Sequence, residues 1–252
     1  MPSFVFLGTS SAVAYPGHEN THLMFSGRDH HILVDCVGNP VLRLDEAGRS
    51  LMEISQVIIT HFHPDHVTGF PLLLMNMWLL GRERGLGVYG LEGTLERLQM
   101  MMDLFDWASW KGMFPVNFHP LPEEEKTLVL ENDDFRVFSS PVDHLLPTIG
   151  LRVEFVPEEA VVAYSADTAP CPQVVDLAQG AEILIHEAAG DYRGHTSPAQ
   201  AGKIAEQAGV DQLYLIHYSF HEQDAAAHVA EARKTFHGKV ALAEDLMEIE
   251  VL

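Results

Sequence analysis

The chain has 252 residues, 47% of them hydrophobic, with 36 acidic against 15 basic residues and a formal net charge of −21. That length supports one complete core, since chains of this size bury roughly 70–75% of the surface they expose when unfolded. The acidity disfavours an extended nucleic-acid partner, which is ordinarily held by clustered lysine and arginine.

In chain order, strand patterns are expected at residues 4–7, 21–25 and 30–35, followed by a helix at 40–47. The first basic residue is Arg28, so the N-terminus does not read as a signal peptide. A β-branched run at 56–60 reads as a buried strand, and His61-Phe62-His63-Pro64-Asp65-His66 follows it directly. Helical periodicity covers 69–84 and 94–106; the apolar stretch 70–80 is too short to span a bilayer and carries Asn76, so no membrane is expected. The segment 98–118 is rich in Met and Trp and reads as core helix, as lid, or as the contact of a homodimer. Further strands are expected at 128–130, 135–139, 149–155, 161–165, 183–186, 213–216 and 240–243, and helices at 172–178, 198–208 and 223–235. Ser197 and Pro198 suit the N-cap and first position of one of these helices. No linker or repeat interrupts the chain, so residues 1–252 are expected to form a single domain. Cys36 and Cys171 lack CxxC neighbours and fit a reduced, cytoplasmic setting.

Three imidazoles and a carboxylate at the mouth of a strand suit Zn²⁺ and its neighbours. On the pleat, His61 and His63 point the same way and can grip one ion. Pro64 then bends the chain, so that Asp65 and His66 can face a second. His144, Asp167 and His217 each stand just past an apolar, strand-like run. A single histidine in such a place is ordinarily a surface residue, but residues carried on several strand ends can converge at one sheet edge.

These residues resemble the metallo-β-lactamase fold and, within it, the ribonuclease Z-like branch. The resemblance spans nearly the whole chain. It includes Phe6-Leu7-Gly8-Thr9-Ser10-Ser11, Ile32-Leu33-Val34-Asp35-Cys36, the His/Asp cluster and Tyr164-Ser165-Ala166-Asp167-Thr168. His186-Glu187-Ala188, Gly194-His195-Thr196-Ser197 and Leu215-Ile216-His217-Tyr218-Ser219 complete it. It implies an α/β architecture, an αββα sandwich of two mixed β-sheets flanked by helices; periodicity alone fits other α/β layerings as well. It also implies two divalent metal ions, Zn²⁺ first, with Mn²⁺ or Fe as alternatives. His61, His63 and His144 would hold one, Asp65, His66 and His217 the other, and Asp167 would bridge them. Such a pair lowers the pKa of a shared water to about 7 and gives a metal-bridging hydroxide. Asp65, Glu187 and His195 are the candidate catalytic residues. Glu187 and His195 resemble the branch's acid pair, in which a carboxylate keeps an imidazole protonated as proton donor; alternatively they only order a strand end and a loop. Asp35 and Asp143 are candidates for orienting ligand rings.

The chain also departs from the branch. Only two strand patterns fit between His144 and Asp167, leaving no room there for the Gly/Pro-rich arm that grips tRNA in ribonuclease Z enzymes. Glu19 precedes Asn20 where the branch ordinarily has Arg, and Ala189 stands where it has Thr. The expected function is therefore a dinuclear metal-dependent hydrolase, foremost a phosphodiesterase acting on a small phosphodiester. A carboxyl-ester, lactone or thioester hydrolase, a tRNA 3′-processing endoribonuclease and a non-catalytic metal-binding protein are the alternatives. Should RNA bind, Arg82, Arg84, Arg97 and Lys111 are the residues from which a basic groove would be built.

Overall fold

The computed structural model describes residues 2–219 and 225–251. Side-chain alternation in the strands explains the layering. In β1 (Ser3–Gly8), Phe4 and Phe6 face one way and Val5 and Leu7 the other, and all four are buried. A strand buried on both faces must lie in a sheet covered on both sides. Its sheet contains β2 (His22–Ser26), β3 (His31–Val34), β4 (Gln56–Ile58), β5 (Leu86–Leu91), β6 (Val116–Leu121) and β14 (Glu248–Glu250). The strand order is β14-β1-β2-β3-β4-β5-β6. A second sheet joins β7 (Thr127–Glu131), β8 (Phe135–Val142), β9 (Thr148–Phe155), β10 (Ala160–Tyr164), β11 (Ile183–Glu187), β12 (Gln212–Ile216) and β13 (Lys239–Leu242), in the order β13-β12-β11-β10-β9-β8-β7.

The central core forms where the sheets meet. Phe4, Phe6, Phe25 and Ile32 of the first pack with Phe135, Val137, Leu151 and Phe155 of the second. On the outer side of the first sheet lie α1 (Pro40–Glu46), α3 (Phe70–Leu79) and α4 (Glu92–Asp103), while the single turn α2 (Pro64–Val67) follows His63. The second sheet is covered by α5 (Pro172–Ala178), α6 (Pro198–Ala208) and α7 (Ala225–Ala232). The αββα sandwich of two mixed sheets is thus present.

Three strands went unanticipated. β5 carries Gly87 and Gly90, β6 carries Pro120, and β14 is the alternating Glu-Ile-Glu. Pro120 is tolerated because β6 is an edge strand, and neighbours rather than propensity make β5 a strand. The helix expected to reach residue 84 stops at Leu79. Beyond it Gly81 turns left-handed, at φ 79°, and the buried Arg82 guanidinium donates to the carbonyls of Arg84, Gly85 and Met52. The helix expected from residue 223 is described from Ala225, and its first two expected residues lie outside the described ones.

The Met/Trp-rich segment belongs mainly to the outer core of the first sheet. Leu98, Met102 and Phe114 are buried there, and Trp78 stacks on Trp110 with ring centroids 5.1 Å apart. Met100, Leu104 and Phe105 remain exposed as a ridge. Among the described residues no helix is long and apolar enough to cross a membrane.

Strand direction positions the chemistry. β3, β4, β5 and β6 pair in parallel, as do β10, β11, β12 and β13. β8 is antiparallel to β9, and β9 to β10, so β8 runs with β10, β11 and β12. Their carboxyl ends therefore open on one edge, where open α/β sheets ordinarily bind ligands.

Candidate metal centre

His61 lies three residues past the end of β4, and His63 occupies the N-cap position of α2 in extended conformation. Pro64 is preorganised for the first helical position, so Asp65 and His66 enter the same turn. From the second sheet, His144 follows β8, Asp167 follows β10, Glu187 ends β11 and His217 follows β12. Asp35, Ala166 and His217 adopt φ of 61°, 52° and 53°, the left-handed region that L side chains avoid. Such strain gathers at functional sites, where surrounding hydrogen bonds hold it in place.

Those surroundings also settle which ring nitrogens face inward. His66 Nδ1 donates to Asp35 Oδ2 at 2.7 Å. The Thr60 hydroxyl donates to the same carboxylate, so its oxygen is left to accept from His61 Nδ1 at 3.0 Å. Thr21 donates to the Ser10 carbonyl and accepts from His217 Nδ1 at 3.1 Å. His144 Nδ1 donates to the Gly194 carbonyl at 2.7 Å. Gly194 itself is at φ 80°, and a Cβ there would stand 3.1 Å from that nitrogen. Each outer nitrogen being engaged, the Nε2 atoms of His61, His66, His144 and His217 are the ones turned to the centre, the orientation that metal-ligating imidazoles require.

The inward atoms fit two ions. His63 Nδ1 lies 2.9 Å from His61 Nε2 and 3.2 Å from His144 Nε2. Tetrahedral bonds of 2.0–2.1 Å to Zn²⁺ place ligand nitrogens about 3.3 Å apart. Asp65, His66 and His217 form a second convergent group, with donor atoms all within 4.8 Å of one another. Asp167 Oδ2 is 3.9 Å from His61 Nε2, 3.4 Å from His66 Nε2 and 3.2 Å from His217 Nε2, so one carboxylate touches both groups. His66 Nε2 and Asp167 Oδ1 are buried without a hydrogen-bond partner. An orphaned buried polar atom costs about 1–3 kcal/mol, and a shared cation is the partner this donor set fits.

Electrostatics agree for four of the five rings. Burial lowers His63 and His144, drives His61 well below the usual imidazole range and holds His217 at about 4, keeping these rings neutral. Burial opposes charge on His66 too, but Asp167 and Asp35 outweigh it and raise that ring well above its ordinary value. Burial would likewise raise Asp167, yet His217, His66 and His61 hold it well below the carboxylate range.

Beside this cluster, Glu187 is fully buried and its Oε1 accepts from His195 Nδ1 at 3.0 Å. The backbone N–H groups of Thr168, Thr196 and Ala189 also donate to the carboxylate. Burial would depress His195, but the hydrogen bond and charge of Glu187 raise it. The His195 ring lies parallel to His217, 5.8 Å between centroids, and lines a cavity of about 400 Å³ with His63, Asp65, Asp167 and Tyr192. Just past it, Ser197 and Gln200 close a capping box that begins α6 and anchors the loop, with Pro198 in the first turn as its sequence position implies.

All nine candidate residues thus gather at one edge. Asp35 meets the site through its carboxylate, whereas Asp143 meets it through its main chain, bonding Thr168 and Ala169. Thr21, Thr60 and the Gly194 carbonyl escaped sequence reading; each adjoins a motif residue, but nothing in the residue type marks it as a ring anchor. Of the four residues named for a basic groove, Arg82 is buried and tied to main-chain carbonyls, Arg84 also bonds a main-chain carbonyl, Arg97 lies over the Phe62 ring, and Lys111 is exposed.

Residues 30–218 match the family model described as a beta-lactamase superfamily domain. The ribonuclease Z of Methanothermobacter thermautotrophicus is 31% identical over 305 aligned positions, covering 100% of this chain and 97% of that protein. Because this chain has only 252 residues, the archaeal protein carries insertions absent here. Among solved structures, the metallo-beta-lactamase fold protein YhfI from Bacillus subtilis aligns with a TM-score of 0.84 at 20% identity, over 98% of both chains. Human tRNase Z, short form, aligns with a TM-score of 0.82 at 23% identity, over 99% of both. These two likenesses speak for the fold.

Proposed function

The chain belongs to the β-lactamase superfamily, in its ribonuclease Z-like branch, and on that premise we propose that it is a dinuclear metal-dependent endoribonuclease processing tRNA 3′ ends. The observation that carries this reading is the convergence of seven donor residues beside a buried Glu187–His195 pair, in a chain that matches a ribonuclease Z from end to end. It reverses the order expected from the missing arm, Glu19 and the acidic charge, which put a small phosphodiester first.

Two divalent ions held by His61, His63, His144, Asp65, His66, His217 and Asp167 would supply hydroxide near neutral pH and offset charge developing on a phosphoryl oxygen. The chain's own residues do the rest. Asp35, Thr60, Thr21 and the Gly194 carbonyl fix the rings; Glu187 keeps His195 protonated, and His195 donates to the departing oxygen. A carboxyl ester, lactone or thioester needs no such donor, so the pair favours a phosphodiester. The two unpaired, buried cysteines suit a reduced, cytoplasmic setting.

A second reading, a small phosphodiester as substrate, draws support from the missing insertions and the net charge of −21. Long RNA is held by phosphate contacts remote from the cleavage point. The test offers Zn²⁺-loaded protein a pre-tRNA with a 3′ trailer, bis(p-nitrophenyl) phosphate, a lactone and a thioester. Site-specific trailer removal at physiological salt supports the endoribonuclease. Diester turnover without it moves the assignment to the second reading, and activity on the lactone or thioester alone overturns both.

A further inference from the structure

A separate cavity of about 290 Å³ is walled in part by residues that neighbour the candidate metal ligands in sequence. Phe62, one of its walls, stands between His61 and His63, while Leu146 and Pro147, two more, follow His144. Leu91 and Leu121 close it at the carboxyl ends of parallel β5 and β6, and Arg97 reaches it from α4. We infer that this cavity is a nucleobase subsite, taking the base beside the scissile phosphate while the phosphate lies on the metal centre; the inference rests on the phosphodiesterase reading above.

Size, shape and charge each point to that occupant. The volume lies just below the range of small-molecule pockets, roughly 300–1,000 Å³, and suits one planar heterocycle rather than a longer segment. The Arg97 guanidinium carbon lies 6.0 Å from the centre of the Phe62 ring, at the outer limit of cation–π attraction. A base stacked at ordinary spacing, about 3.5 Å from each, requires only about one ångström more. Aromatic rings and arginine planes are the surfaces on which single-stranded bases stack. Arg97 is exposed and makes no salt bridge among the described residues, so it can make that shift. Glu92 and Glu123, exposed at the rim, outnumber this one cation and repel a phosphate, while a neutral base meets no such barrier. The cavity and the metal centre therefore sort the two halves of a nucleotide between them.

Calorimetry on the Zn²⁺-loaded protein tests this without turnover, with AMP and ribose 5-phosphate as probes. AMP is expected to bind at least about tenfold more tightly, the range of one stacked base. Arg97→Ala, on the surface of α4, and the cavity-filling Leu146→Trp should each reduce that preference to about threefold or less, with circular dichroism and metal content checked for both. Equal binding of the two probes by the unaltered protein, or a preference intact in both variants, overturns the subsite. Base preference with no phosphodiester turnover would reject the hydrolase reading and keep the subsite; turnover without base preference would do the reverse.

Discussion

The two sheets contribute to the candidate metal centre in different ways. From the first comes a continuous run, His61 to His66, delivered by one strand end, one proline and one helical turn. The second sends His144, Asp167, Glu187, His195 and His217 from separate places that meet only because β8, β10, β11 and β12 run in one direction. The first half is local geometry and the second is topology. A substitution in the first should alter one ligand's placement, whereas Asp167 and His195 act where the second sheet's contributions cross.

The sharpest test is Asp167→Ala. Its carboxylate approaches three imidazoles drawn from both sheets, so at least one of two ions per chain and nearly all hydrolysis should be lost. Elemental analysis beside a diester assay reads both, and full metal loading in the variant would break the comparison.

His195→Ala comes next, with metal content retained and hydrolysis slowed by the ~10²–10⁴-fold typical of a lost general acid. The loss should shrink for p-nitrophenolate, a leaving group that needs little protonation. Equal losses for good and poor leaving groups would mean that His195 orders the site instead.

Asp35→Asn probes the support of the first half. Asn tolerates the left-handed φ but offers one acceptor oxygen where His66, Thr60 N–H and the Thr60 hydroxyl now share a carboxylate. Metal affinity should fall about 10–100-fold in chelator competition, a smaller effect than losing a shared ligand.

The smallest effect concerns stability. Each sheet holds one buried neutral imidazole facing its helices, His22 in β2 and His186 in β11, and burial lowers both to about 4. With an unfolded value near 6.5, their contribution is complete above about pH 6.5 and is lost as pH falls from there toward 4. Each should contribute up to about 1.4 kcal/mol of lost stability per pH unit in that window. Denaturant midpoints at pH 7.5, 6.5 and 5.5 measure the slope, which His186→Gln should reduce; a flat profile would contradict the assignment.

How far the site was legible follows the same division. The convergence of His61-Phe62-His63-Pro64-Asp65-His66 could be read directly, because its spacing is a property of adjacent residues. Ser197 and Pro198 likewise marked the start of α6. β5 and β6 were hidden, since glycine and proline argue locally against a strand and only pairing with neighbours overrides them. Arg82, read as available to RNA, is buried and satisfied by main-chain carbonyls, which side-chain type alone does not reveal.

By itself, the sequence determined what depends on near neighbours: strand and helix periodicity, caps, the contiguous ligand cluster and the strongly acidic composition. Only the tertiary structure decided which rings turn which nitrogen inward, through Asp35, Thr60, Thr21 and the Gly194 carbonyl. It alone placed Asp167 between the two groups and set Phe62 opposite Arg97. The physical reason is distance along the chain: all of these contacts except Thr60 to His61 join residues far apart in sequence, and their geometry exists only once two sheets have packed with their carboxyl ends on one edge.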